Sequence, residues 1–356
     1  MPQIDRQSAF SGTKEVAEPL RFDAAALARY LAAHAPGFAG PLTVEQFKGG
    51  QSNPTFKLVT PTASYVMRRK PAGQLVTGAH AIDREHRVIS ALGGVDFPVP
   101  RTFGYCDDDD VVGSAFYIME LVQGRSIWDT RFPDVPDADR AAYFDAMNET
   151  IARLHTIDYK AIGLEDFGRA GGYLERQVRR WTRTYRDGIA IAGANADMDR
   201  LSAWLQAHIP RHQDTCLIHG DFRCDNMLFD PHEPKVVAVL DWELSTLGDP
   251  LADFAFHTMV YRLPPEIITG LLGTDLVAHN IPSEADYIAA YCRRTGRSGI
   301  PDYSFYLAFN MFRLASIMHG IRQRALAGNA SSGHAAEVGA LYEPLAAYGW
   351  KTASAN

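Results

Sequence analysis

The sequence predicts an α+β protein with a strand-rich N-terminal lobe and a helix-rich C-terminal lobe. Three observations carry this. Three runs of β type, LTVEQF, TFKLVT and SYVMRR, crowd into residues 42–69. From residue 137 onward, apolar residues recur at spacings of three and four. A single pair of short apolar runs, on either side of HGDFRCDN at 219–226, interrupts those helices.

Taken in order, residues 1–21 are polar and mixed and read as a flexible tail. DAAALARYLAAHA (23–35) reads as a helix with Asp23 as N-cap and Pro36-Gly37 as the stop. The first two strands bracket KGGQSNP, and the turn PTA leads to the third. AIDREHRVISALGG (81–94) is a helix ending in glycines. The acidic turn DDDDVVG then leads to a strand at SAFYIMELV (114–122). Gly124 marks a break, so a first lobe spans 22–122 and a second 123–350. In the second, DADRAAYFDAMNETIARLHTID sets Tyr143, Met147, Ile151 and Leu154 on one stripe. YLERQVRRWTRTYRDG and DMDRLSAWLQAHI follow as helices, with others over 249–261, 283–295 and 302–327.

The bulk properties exclude several classes. The 356-residue chain carries a formal charge of −7 and no basic block, which argues against nucleic acid or an anionic membrane as partner. Its apolar runs are too short to span a bilayer. Four cysteines form no CxxC pair, so a reducing compartment is expected and a zinc site is not. The N-terminus has no apolar leader region; a cytoplasmic protein is the expectation. His208 and His212 are four apart but have Pro210 between them and no HExxH acid, so they read as surface residues.

The acid-rich bend is the informative feature. MLF, the turn DPHEPK and VVAVL read as a hairpin, which returns Asp241 beside Asn226 and Asp221. Two carboxylates ~4 Å apart repel by a few kcal/mol at an effective dielectric of about 20, so the trio calls for a divalent cation. All-oxygen donors point to Mg²⁺, which shares its sites with phosphate oxygens. Asp225 and Asp230 read as turn residues. An Asp, four residues, an Asn, a hairpin and a second Asp is the arrangement that phosphoryl transfer uses: one carboxylate for the attacking hydroxyl, an Asn and an Asp for the metal.

With HGDFRCDNMLFD, VVAVLDWELSTLGDPLADFAF and FKGGQSNPTFKLVT in view, the chain resembles the aminoglycoside phosphotransferase and choline kinase-like family over residues 22–345. GGQSN, YVMRRKP, FYIMELVQGR and FRLASIMHGIRQRALAGNAS resemble more narrowly the branch found as a kinase-like domain of some acyl-CoA dehydrogenases. The resemblance implies a bilobal protein-kinase-like fold, with an antiparallel sheet lobe and a helical catalytic lobe. It implies Asp221 as catalytic base, His219 as support for the loop backbone, and Asn226 and Asp241 as Mg²⁺ ligands. Gly49, Gly50, Ser52 and Asn53 would cover the phosphates of ATP or GTP, and adenine would meet the backbone at Glu120–Val122. Glu85 would pair with a strand cation, Arg68 by alignment, where the family usually has Lys; Lys70, two residues on, is the other phosphate candidate. Asp249 would bond back to the catalytic loop and Asp253 would be structural. Trp181, Tyr185, Arg313, His319 and Arg322 are candidates for the acceptor pocket. The acceptor would be a hydroxylated small molecule, by branch resemblance a hydroxyacyl-CoA. The short step from Asp241 to Asp249 leaves no room for a peptide platform. A non-catalytic nucleotide-binding scaffold is the alternative.

Overall fold

Period-two alternation and one central strand build the first sheet. A computed structural model of the chain describes residues 11–48, 53–71, 81–328 and 334–355. Its elements begin with β1 (Thr13–Lys14), α1 (Ala24–His34), β2 (Thr43–Phe47), β3 (Thr55–Val59) and β4 (Ser64–Arg69). They continue with α2 (Ile82–Gly93), β5 (Thr102–Cys106), α3 (Asp109–Val112), β6 (Phe116–Glu120) and β7 (Arg125–Ser126). The antiparallel order is β1-β2-β3-β4-β6-β5. Phe56 and Leu58 of β3 and Met67 of β4 are buried with Leu27 and Leu31 of α1 and with Phe116 and Ile118 of β6. Asp23 caps α1 through the Ala25 N–H at 2.8 Å.

The same alternation sends the two arginines of β4 to opposite faces. Arg69 faces the α1 side, where its guanidinium lies over Phe22 and Phe56 and donates to the Val112 carbonyl. Arg68 faces the α2 side.

The chain forms two compact units. The first runs up to Trp128 and takes in Tyr159–Glu165 and Arg223–Ser245. The second holds Asp129–Asp158, Asp166–Phe222 and the chain from Thr246 on. A single division after residue 122 therefore differs from the observed one, because the hairpin after HGDFRCDN packs with the first unit. Its strand Met227–Phe229 pairs with Val236–Val239 on one side and with β7 on the other. The Val239 N–H donates to the Pro98 carbonyl at 2.8 Å. Within the segment read as a tail, Thr13 and Lys14 form a short strand and pair with Phe47 and Gln46. A strand at Thr102–Cys106 also went unread, since Pro98 and Pro100 mask its approach.

The second unit is helical: α4 (Asp137–Thr156), α5 (Tyr173–Ala192), α6 (Ala196–Ala207), α7 (Pro250–Thr258), α8 (Glu284–Thr295), α9 (Tyr303–Leu326), α10 (Ala335–Ala340) and α11 (Tyr342–Ser354). α9 is its axis, buried from Phe305 to His319 over most positions and packed by α5, α7, α10 and α11. α10 and α11 were not read from the sequence. Strands Cys216–Ile218 and Thr246–Gly248 pair antiparallel within this unit. Among the described residues no helix is long and apolar enough to cross a membrane.

Phe56 is fully buried at the centre of the first core. Phe56→Ala is expected to lower unfolding free energy by about 3–5 kcal/mol through lost transfer energy and a cavity, read by urea denaturation. A loss under about 1 kcal/mol would contradict this packing.

Candidate active site

In the first unit the site is built round one guanidinium. Arg68 pairs with Glu85 of α2, Nε to Oε2 at 2.8 Å, and donates from Nη2 to Asp241 Oδ1 at 2.8 Å. Glu243 Oε2 lies 3.6 Å from the same nitrogen. The Arg68 and Glu85 side chains are 10% and 1% exposed, so water screens this ion pair poorly. Burial opposes the charge on Arg68, yet Glu85, Asp241 and Glu243 together raise its pKa. Burial is also the largest influence on Glu85 and pushes its carboxyl up to about 7, against the lowering effect of Arg68. One cation thus faces three carboxyl groups, an excess of acid that suits a further cation.

Asp241 is placed by the hairpin. Val239 pairs with Met227, and the Leu240 N–H donates to the Asn226 carbonyl at 2.8 Å. This brings Asp241 next to Asn226, as the strand count required. Asp241 has φ 64° and ψ 60°, a left-handed conformation that non-glycine residues adopt rarely and mostly at turns and functional sites. Buried Trp242 pins the turn: its indole N–H donates to the Val239 carbonyl at 2.9 Å and its ring meets Phe97 edge-on. Asn226 and Asp241 offer one amide and one carboxylate oxygen, a donor set that fits Mg²⁺ completed by phosphate and water. Among the described residues no cluster of three or more His, Cys, Asp or Glu forms a metal cage.

The other first-unit candidates are more dispersed. Gly49, Gly50 and Ser52 lie outside the described residues. Asn53 is buried before β3, and its carbonyl accepts from the Thr55 hydroxyl. Lys70 stands one residue past the end of β4, half-buried. Glu120 closes β6 with its side chain exposed and its N–H bonded to Arg101 O, and Val122 follows half-buried. Asp225 pairs with Arg223, consistent with a turn role.

In the second unit the loop His219-Gly220-Asp221 hangs from Asp253. The Asp253 carboxylate accepts the His219 and Gly220 N–H groups, both at 2.8 Å. His155 Nε2 lies 3.2 Å from it, and His155 Nδ1 contacts Tyr291 Oη at 2.7 Å. Burial opposes the charge on Asp253, but the hydrogen bond and field of His155, with His219, hold its carboxyl below the usual range. His219 Nδ1 accepts the Asp221 N–H at 3.2 Å, and Arg313 donates to the Gly220 carbonyl at 2.6 Å. Asp221 itself is half-buried.

These contacts correct two expectations. Asp253, one helical turn after Asp249, bonds back to the loop. Asp249 instead caps α7 through the Leu251 and Ala252 N–H groups and accepts from Tyr306. Tyr185 and His319, offered as pocket residues, are buried against each other, with His319 bonded to the Gly193 carbonyl. Arg313 is spent on the loop. Trp181 and Arg322 are half-buried, the latter beside Glu343. The role of Asp253 was hinted at by its i+4 spacing from Asp249 in GDPLADFA. The contribution of His155 gave no local signal, because 98 residues separate it from Asp253.

Residues 43–305 match the sequence profile of the phosphotransferase enzyme family. The chain belongs to that family. A solved structure from Ralstonia eutropha, described as a candidate aminoglycoside phosphotransferase, shares 49% identity over 94% of this chain and 98% of its own, with a TM-score of 0.86. Acyl-CoA dehydrogenase family member 11 of Gallus gallus is 44% identical over 95% of this family member but only 44% of its own length. The chain thus spans less than half of that relative. A thermostable mutant of an aminoglycoside phosphotransferase, solved with AMP-PNP and hygromycin B, shares the fold at 14% identity, covering 93% of this chain and 100% of its own, with a TM-score of 0.59. This family member therefore has the α+β, kinase-like fold.

His257 gives the pH prediction. It is buried behind the loop, with Nε2 2.7 Å from Tyr287 Oη. Burial pushes its pKa down to about 4, against a hydrogen bond with the Phe222 backbone. Its contribution is present above the unfolded pKa near 6.5 and is lost as pH falls towards 4. The stability difference between wild type and His257→Gln is expected to shrink by on the order of 2–3 kcal/mol from pH 7 to 4.5. A difference constant with pH, by denaturant titration, would contradict this.

Proposed function

We propose that the protein is a Mg²⁺-dependent kinase that moves the γ-phosphoryl group of ATP or GTP to a hydroxyl of a small molecule. The carrying observation is the hairpin turn that sets Asp241, in a left-handed conformation, beside Asn226 and in the fork of Arg68. Bound Mg²⁺ would supply charge neutralisation on the phosphates. Asn226 and Asp241 would hold it. Asp221 orients the acceptor hydroxyl and takes its proton, with its backbone fixed by His219 and, through Gly220, by Asp253. The Arg68–Glu85 pair fixes β4 against α2, and Arg68 or Lys70 reaches phosphate. The backbone at Glu120–Val122 takes the adenine. The nucleotide reading draws support from the fold relative solved with AMP-PNP.

For the acceptor we favour an anionic hydroxylated molecule of the hydroxyacyl-CoA kind. Two observations support it. The relative at 44% identity is named an acyl-CoA dehydrogenase family member. Arg179, Arg180, Arg183 and Arg186 of α5 are all exposed, a face ill-suited to a polycation such as an aminoglycoside.

A second reading, a non-catalytic nucleotide-binding scaffold, is favoured by one contact: Arg68 stands where the family usually has Lys and already occupies Asp241. A screen of hydroxyacyl-CoAs, free hydroxy acids and aminoglycosides for stimulated ATP turnover separates these readings. We expect hydroxyacyl-CoA turnover, reduced at least 10³-fold in Asp221→Ala, a magnitude in line with loss of an acid–base and positioning group. Unchanged turnover in that variant would sink the mechanism. Nucleotide affinity indifferent to Mg²⁺, by calorimetry, would favour the scaffold.

A further inference from the structure

Arg68 stands where the family usually has Lys, and phosphotransfer alone does not call for the difference. The backbone of Arg68 is fixed: β4 is a central strand, with Arg68 opposite Thr55 of β3 and Tyr117 of β6. Only the side chain is left to move. Its Nε is anchored on Glu85 of α2 at 2.8 Å. Its Nη2 lies between two carboxylates of one turn, 2.8 Å from Asp241 Oδ1 and 3.6 Å from Glu243 Oε2. An approach of less than about 1 Å brings Glu243 into hydrogen-bond range.

The turn that carries both acids is itself held. Trp242, between them, is buried and donates to the Val239 carbonyl. The Ser245 N–H donates to the Trp242 carbonyl at 3.0 Å. Asp241 and Glu243 are therefore two acceptors on one fixed backbone, within reach of the same guanidinium nitrogen.

A metal on Asp241 sets these contacts in competition. Two cations on one carboxylate repel each other, and a site this buried is poorly screened. Arg68 is only 10% exposed, so it cannot be left without a partner, since an unpaired buried charge is costly. Glu243 resolves both demands: it has the charge to replace Asp241 and is not a ligand of the proposed ion. A lysine here would have a single ammonium, a point charge that pairs at Glu85. The guanidinium presents Nε and Nη2 as separate prongs and keeps further donors for phosphate.

We propose that Glu243 is a positioning residue that takes over Arg68 Nη2 when Asp241 turns to the metal. Arg68 keeps Glu85 throughout and closes on Asp241 or on Glu243. The inference rests on the metal–nucleotide reading of Asn226 and Asp241, and adds to it a residue that touches neither metal nor nucleotide.

Calorimetry of AMP-PNP binding to the full chain, in EDTA and in saturating Mg²⁺, gives the gain in affinity that the metal confers. Glu243→Gln is expected to cut that gain about tenfold, because a neutral amide is a poorer acceptor for a guanidinium than a carboxylate. Its melting temperature without ligand should match wild type. In the Arg68→Lys background the same substitution should change the gain by less than about twofold, since the two residues act as one unit. A metal ligand at Glu243, or its charge acting at a distance, would lower the gain equally in both backgrounds. That result, or a gain unaltered by Glu243→Gln, overturns the proposal. A wild-type protein with no gain fails the metal–nucleotide reading first and this inference with it. Should Arg68→Lys not fold, a crystal structure with Mg²⁺ and AMP-PNP decides. Glu243 within about 3.2 Å of Arg68 Nη2 supports the handover, and Glu243 on the ion or turned away from Arg68 overturns it.

Discussion

The buried guanidinium of Arg68 is the constraint on which the first unit depends. A charge taken out of water is costly unless it is paired and hydrogen-bonded. Here the pairing reaches three separate pieces of chain: β4 supplies Arg68, α2 supplies Glu85, and the turn after the hairpin supplies Asp241 and Glu243. Satisfying one guanidinium therefore fixes a helix against the sheet and draws in a segment more than 150 positions away. The left-handed backbone of Asp241 is tolerated because Trp242 is locked beneath it and Arg68 holds the carboxylate.

The second unit solves a parallel problem with an anion. Asp253 is fully buried and acts as a hub, accepting from two backbone N–H groups of the loop and meeting His155. Removing such a hub would leave several buried donors unpaired, each costing about 1–3 kcal/mol. The loop that presents Asp221 is thus held from behind by a buried carboxylate. Arg313 secures the Gly220 carbonyl from α9, so both polar groups of that peptide region are accounted for.

Much of this was legible in the sequence where the determinants are local. The strands about Phe56 and Met67, the cap at Asp23 and the hairpin that returns Asp241 to Asn226 all follow from alternation, capping and turn chemistry. The Arg68–Glu85 pair followed from resemblance. What escaped depends on contacts distant along the chain. The division of roles between Asp249 and Asp253 is set by the axis of α7, and the burial of Tyr185 against His319 by the packing of α5 on α9. Residues 11–21 looked like a tail because two residues of strand leave almost no periodicity. Their order comes from pairing with β2 and from Arg69 binding the Leu20 carbonyl.

The central claim is that Asn226 and Asp241 form a metal-nucleotide site within reach of Arg68. A crystal structure of the protein grown with Mg²⁺ and AMP-PNP tests it most directly. The account predicts an octahedral ion about 2.0–2.1 Å from side-chain oxygens of Asn226 and Asp241 and from phosphate oxygens, with Glu85 still paired to Arg68. Nucleotide bound with no ion on those two residues, and Arg68 still closed on Asp241, would contradict it.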